Sequence, residues 1–250
     1  MNALRHDWRK LLIGGLTVAA LLAAFLIDPI AQDPDYHRFA DRRPYLGIAN
    51  FWNVATNLPF LVIGIAGLAQ LPAVALKLHY AVFCVGVSLV AVGSARYHLE
   101  PSTAALVFDR LPMTIAFMAL FAAVIADRVS MPLGRALLWP LVALGIASIG
   151  WWQLTEEAGA GDLRPYAVVQ FLPMILIPLM LLLFRGDRIR ARYLWAGLGA
   201  YAGAKLMEQF DAGLYGAGQL LGGHSLKHLL AALAAWWIIR AFQRSPARAL

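Results

Sequence analysis

The chain has 250 residues, 61% of them hydrophobic and only 14% charged, with a mean hydropathy of +0.66. A soluble domain is about one quarter charged, and so few polar residues cannot cover a surface exposed to water. The net charge of +7 lies in Lys and Arg residues that punctuate the ends of apolar runs. That distribution speaks for membrane topology and lipid headgroups and against nucleic acid as a partner.

A bilayer core of about 30 Å takes around 20 apolar residues per helix. The sequence offers that pattern at 11–29, 49–70, 76–98, 104–126, 134–154, 165–184, 192–212 and 222–243. The expected fold is all-α: a polytopic membrane helix bundle with a seven-helix core and one extra N-terminal transmembrane helix. Short connections favour one bundle, divided as an anchor helix and outer loop at 1–47, a core at 48–243 and a cytoplasmic tail at 244–250.

The first span follows Arg5, Arg9 and Lys10, but its run from Leu11 to Ile27 outlasts a signal core. No A-x-A cleavage pattern follows it, so a retained anchor is expected. The segment "AQDPDYHRFADRRPYLG", 31–47, is rich in turn formers and charge, and His37 within it reads as a loop residue. Asn50, Asn53 and Asn57 recur at near-helical spacing in the second span. They read as polar glue between helices, with substrate contact as the alternative. Cys84, the single cysteine, reads as a packing residue and rules out an intrachain disulfide. Pro112, Pro173 and Pro178 fall inside spans, where neighbouring helices can satisfy the freed carbonyls.

The third and fourth spans meet at "GSARYHLEPSTAALVFDRLPM", 93–113. Ser94 is one helical turn before His98, which ends the third span. Asp109 begins the fourth, about 8 Å into its helix at 1.5 Å per residue. In the last span His224 and His228 are spaced i, i+4 and share one helix face. The eight-span plan brings three of the six histidines, a serine and an aspartate to one depth of the membrane. His6 and His79 fall at the opposite end.

Ionisable residues inside a membrane are costly and by default mark a function. Three imidazoles are a familiar zinc set with a fourth position for water, and zinc lowers the pKa of such a water to about 7. Asp109 carries the group to shuttle a proton, and the Ser94 hydroxyl the group to donate to a developing oxyanion. Each residue also has a plainer reading. The histidine pair can bond neighbouring carbonyls, Ser94 can permit close helix packing, and Asp109 can pair with Arg110. Glu208 and Asp211 can support the histidine helix or pair with Lys205 and Lys227.

Counting basic residues in the connections of the plan, with the N-terminus cytoplasmic, gives thirteen inside and six outside. By the positive-inside rule both termini are expected in the cytoplasm. A bacterial inner membrane with the site toward the periplasm is the expected location.

Four segments resemble the alkaline ceramidase family, seven-helix membrane hydrolases whose superfamily includes the adiponectin receptors. "IANFWNVATN", 48–57, is similar to the family's I-A-E-F-W-N-T-x-S-N, and "SARYH", 94–98, to its S-x-x-x-H. "DRLPM", 109–113, is similar to D-E-L-P-M, and "HSLKH", 224–228, to the closing H-x-x-x-H. The resemblance implies zinc ligands at His98, His224 and His228, with Ser94 and Asp109 flanking the attacking water. It implies a zinc-dependent amidohydrolase that cleaves the N-acyl bond of a ceramide-like lipid. An ester or another N-acyl lipid remains compatible with the zinc chemistry. The resemblance makes calcium doubtful: Asn50 stands where the family carries a ligating glutamate, although Asp33, Asp35 and Asp41 keep acidic groups in the preceding loop. The rival functions are a receptor or transporter with a structural zinc site, and a haem-binding electron carrier ligated through His98 and a partner histidine.

Overall fold

The computed structural model describes residues 2–243, with side chains from residue 8 onward. The expected tail at 244–250 and the side chains of Arg5 and His6 lie outside the described residues. The chain forms helices Asn2–Leu26 (α1), Phe51–Ala55 (α2), Leu58–Ala69 (α3), Lys77–Leu99 (α4) and Thr103–Arg128 (α5). Met131–Glu157 (α6), Arg164–Leu183 (α7), Ala191–Gln209 (α8), Asp211–Gly218 (α9) and Gly223–Phe242 (α10) follow. No strand occurs among the described residues. Among the described residues seven segments are long and apolar enough to cross a membrane: Trp8–Leu26, Phe51–Ala69, α4, α5, α6, α7 and α10. The protein is an all-α, multi-pass integral membrane protein.

Two expected spans come out differently. The span at 49–70 is interrupted between α2 and α3, because Pro59 has no N–H to continue the ladder. The span at 192–212 forms α8, which is not among the seven apolar segments. Its Lys205 and Glu208 lower the apolarity, yet they are paired at 2.7 Å, and Glu208 also holds Lys227 of α10 at 2.6 Å. Composition counts such charges as exposed to lipid; the fold neutralises them against one another.

The chain forms two compact units. One joins the described part of Met1–Gln32 with Phe117–Asp187, and the other joins Asp33–Ala116 with the described part of Arg188–Leu250. In the first, α1 packs on α7 and α6 on α7. Ser130 caps α6 by accepting from the Leu133 N–H. Asp162, in the turn before α7, accepts from Arg164 at 2.8 and 2.9 Å and from the Trp151 indole at 3.1 Å. Arg164 also donates to Ile27 O, which fastens the chain leaving α1.

In the second unit α3 packs on α4, and α8 lies along α10. Close approach of α4 to α5 depends on glycine. A Cβ at Gly93 would collide with Phe108 O, and one at Gly86 would meet Ala116 N at 2.8 Å. Two glycines seven residues apart therefore let the α5 backbone lie against α4.

Gly93→Val is expected to overpack this contact at a cost of about 1–3 kcal/mol, lowering the thermal midpoint; an unchanged midpoint would show that α4 and α5 do not close there. Arg164 holds the Asp162 carboxyl down to about 2. A depressed carboxylate stabilises the fold above its unfolded value of about 3.9, and that contribution fades as pH falls toward 2. The melting midpoint of the parent should therefore fall between pH 4 and pH 2 more steeply than that of Asp162→Asn.

Candidate metal centre

The second unit gathers His98, from the last turn of α4, with His224 and His228, from the first two turns of α10. Their candidate ligand atoms all lie within 4.8 Å of one another. Each pair of rings is 4.9 Å apart between centroids. All three residues are at least 95% buried, and neither ring nitrogen of His98 has a hydrogen-bond partner among the described residues. An unpartnered buried imidazole is costly. A metal ion accepting lone pairs from three neutral imidazoles removes that cost, so the donor set fits zinc. Among the described residues this is the one group of three His, Cys, Asp or Glu side chains close enough to hold a metal.

The break between α2 and α3 sets the state of one of these rings. Thr56 Oγ1 donates to Trp52 O at 2.6 Å and lies 3.0 Å from His228 Nδ1. A hydroxyl has a single proton, so Thr56 accepts from an Nδ1–H and leaves the Nε2 lone pair of His228 free.

Asp211 fixes the start of α10. Gly222, the cap residue, has no side chain, and Asp211 Oδ1 accepts from the His224 N–H at 2.8 Å in its place. The other oxygen accepts from Ala40 N at 2.9 Å, tying in the loop that precedes α2. Gly223 makes this possible, since a Cβ there would collide with Met207 O.

Phe39 covers the cluster, with its ring centroid 4.7 Å from His98 and 4.5 Å from His224. Ser94 is buried one turn before His98, and its Oγ has no hydrogen-bond partner among the described residues. Asp109 is buried near the start of α5, within electrostatic reach of Lys227, Tyr36 and Tyr97. Lys227 Nζ lies 3.4 Å from His224 Nε2 and is held by Glu208.

Asn50 and Asn53 tie their span to other elements, whereas Asn57 bonds back along its own span. Asn50, in a left-handed conformation at φ 48°, donates to His98 O at 2.9 Å. Asn53 donates to Asp41 O and accepts from Ser225 Oγ, and Asn57 donates to Asn53 O. His37 ends a 3-10 turn, and its ring meets Tyr97 Oη at 2.8 Å and Thr103 Oγ1 at 3.1 Å. It stands outside the three-histidine group but touches the tyrosine that packs on His98. Glu208 pairs with Lys205 and Lys227, whereas Asp211 supports the histidine helix. The two alternatives open for these acids are thus divided between them.

The loop acids are engaged by neighbouring groups of the chain. Asp33 caps the 3-10 turn and Asp35 pairs with Arg38. Arg43 grips both oxygens of Asp41 at 2.9 and 2.7 Å and holds its carboxyl below the usual carboxylate range. The three acids do not converge as a metal-holding group.

Sequence reasoning missed Thr56, Phe39 and Tyr97. Thr56 left one clue, its place between an asparagine run and Pro59. The two aromatic rings left none, since an apolar residue near an apolar span is ordinary.

A family model for ceramidases matches residues 45–183, more than half of the chain. The match covers α2 to α7, including Ser94, His98 and Asp109, and stops before His224 and His228. None of the curated proteins compared with the chain matches it. The chain belongs to the ceramidase family, membrane amidohydrolases that hydrolyse ceramide.

Thr56→Val removes the acceptor at His228 and is expected to weaken metal binding about 10–100-fold, measured by competition with a chromogenic chelator. Asp211→Ala should destabilise the protein by about 1 kcal/mol through the lost cap, with Asp211→Asn recovering most of it. Equal midpoints for the alanine variant and the parent would remove Asp211 from this role.

Proposed function

We propose that the chain is a zinc-dependent intramembrane amidase that cleaves the N-acyl bond of a ceramide-like lipid, giving a free fatty acid and a sphingoid-type base. The observation that carries this reading is the buried three-histidine cluster with His98 unpartnered among the described residues. His98, His224 and His228 would hold the ion. When bound, zinc supplies a Lewis acid for the amide carbonyl and a more acidic water.

The chain's own groups supply the rest. Asp109 accepts the proton of the attacking water and returns it to the leaving amine. Ser94 Oγ, a donor with no other partner among the described residues, stabilises the oxyanion. Thr56 keeps the His228 tautomer, and Asn50 holds the carbonyl of His98, so two of the three imidazoles are fixed before substrate arrives. The surrounding apolar helices shield the site from bulk water and suit an acyl chain. The same reading keeps an anchor helix with its loop at 1–47 and a core at 48–243. The basic-residue count supports cytoplasmic termini in a bacterial inner membrane, with the site toward the periplasm.

Elemental analysis of purified protein should find about one zinc per chain, and far less in His228→Ala. Asp109→Asn should keep the zinc while ceramide turnover falls about 10²–10⁴-fold. Ser94→Ala should lose about 10²–10³-fold. A folded preparation never exposed to chelator that contains no zinc would overturn the metallohydrolase reading. Zinc whose removal lowers the melting midpoint, with no lipid turned over, would favour a receptor or transporter with a structural site.

A further inference from the structure

The end of α10 far from His224 carries a feature the hydrolase chemistry does not use. Arg240 lies about 24 Å along the helix from His224 at 1.5 Å per residue, beside the start of α8. There the sequence "FRGDRIRAR", 184–192, holds four arginines and one acid, Asp187. Arg190 and Arg192 both lie over the Tyr193 ring, at 4.5 and 4.7 Å from its centroid. Arg192 also donates to Tyr193 Oη at 3.1 Å, and Arg240 reaches the same phenol. Arg190 donates to Arg240 O at 2.7 Å, which locks the two helices and their guanidinium groups together.

Three cations around one phenol repel one another. The aromatic rings recover part of that cost, with Tyr193 stacked on Trp237 and Arg240 over Trp236. Two further observations point to a ligand. The Nε atoms of Arg190 and Arg240 are buried without a hydrogen-bond partner among the described residues. The first turn of α8 has no side-chain cap, and it begins directly after Arg190 in the chain. Guanidinium forks and a helix N-terminus together form the recognition chemistry of phosphate. Trp195 and Trp236 are exposed beside the cluster, as aromatic side chains are at the level of lipid headgroups.

We propose that Arg190, Arg192 and Arg240, gathered on Tyr193 at the start of α8, form a binding site for a phosphate group. The group comes from an anionic lipid headgroup or from free phosphate. The site is separate from the three-histidine cluster and stands whether or not the zinc reading does.

The test uses the full chain in neutral detergent, with adducts followed by native mass spectrometry. Phosphatidylglycerol, phosphatidylcholine and inorganic phosphate are titrated separately. Each arginine near a headgroup contributes about fivefold in affinity. Arg192→Gln should therefore bind the favoured ligand about fivefold more weakly, and Arg192→Gln with Arg240→Gln about thirtyfold. Zinc content and ceramide turnover should match the parent in both. Arg192 is exposed, so the single variant keeps the test sound if the double variant fails to fold. Preferential phosphatidylglycerol adducts lost in the variants identify the headgroup as the source. Phosphate adducts lost in the variants, with the two lipids retained equally, identify the free ion. Adducts absent from the parent, or unchanged in the variants, overturn the proposal.

Discussion

Three imidazoles in an apolar interior set the terms for the structure around them. Each ring removed from water needs a partner for its polar nitrogens, and His98 finds none among the described residues. The surrounding groups act on the cluster's orientation. Thr56 fixes the protonation of His228, Asp211 anchors the helix carrying two of the rings, Asn50 holds the carbonyl of the third, and Phe39 covers two of them. Several short interactions converge on the site, none of them strong alone.

The helices reach this arrangement through small residues and interruptions. Gly93 lets the α5 backbone close on α4 one residue before Ser94, and Gly223 lets α10 begin against Asp211 and Met207. Pro59 breaks the second span at the point where Thr56 is needed. In lipid the apolar effect does little to bring helices together, so contact depends on close packing and hydrogen bonds. In the loop before α2, Arg43 occupies both oxygens of Asp41 and bonds Leu220 O. A side-chain cation thereby ties that loop to the chain just before α10.

Charge is handled differently at the two ends of α10. Near His224, Glu208 answers Lys205 and Lys227, and Tyr36 donates to the same carboxylate at 3.1 Å. Near Arg240 the cations rest on aromatic rings instead. A carboxylate between two lysines makes a closed network. The guanidinium groups lie on ring faces, and in-plane donors of Arg190 and Arg192 reach Arg240 O and Tyr193 Oη.

The sequence by itself determined the class of the protein, because bilayer thickness and apolar run length are properties of local composition. It also determined the three histidines, since i, i+4 spacing and the ends of spans fix depth and face without any packing detail. The tertiary structure alone decided the break at Thr56 and Asn57, the roles of Glu208 and Asp211, and the packing of Phe39 and Tyr97 against the rings. A hydropathy window reads α8 as one more span or as too polar. Lys205 and Glu208 can pair within α8, but only its contact with α10 shows that Glu208 also holds Lys227. Apolar periodicity says which residues avoid water, but Glu208 with Lys227 and Thr56 with His228 are partners distant in the chain, and folding alone brings them together.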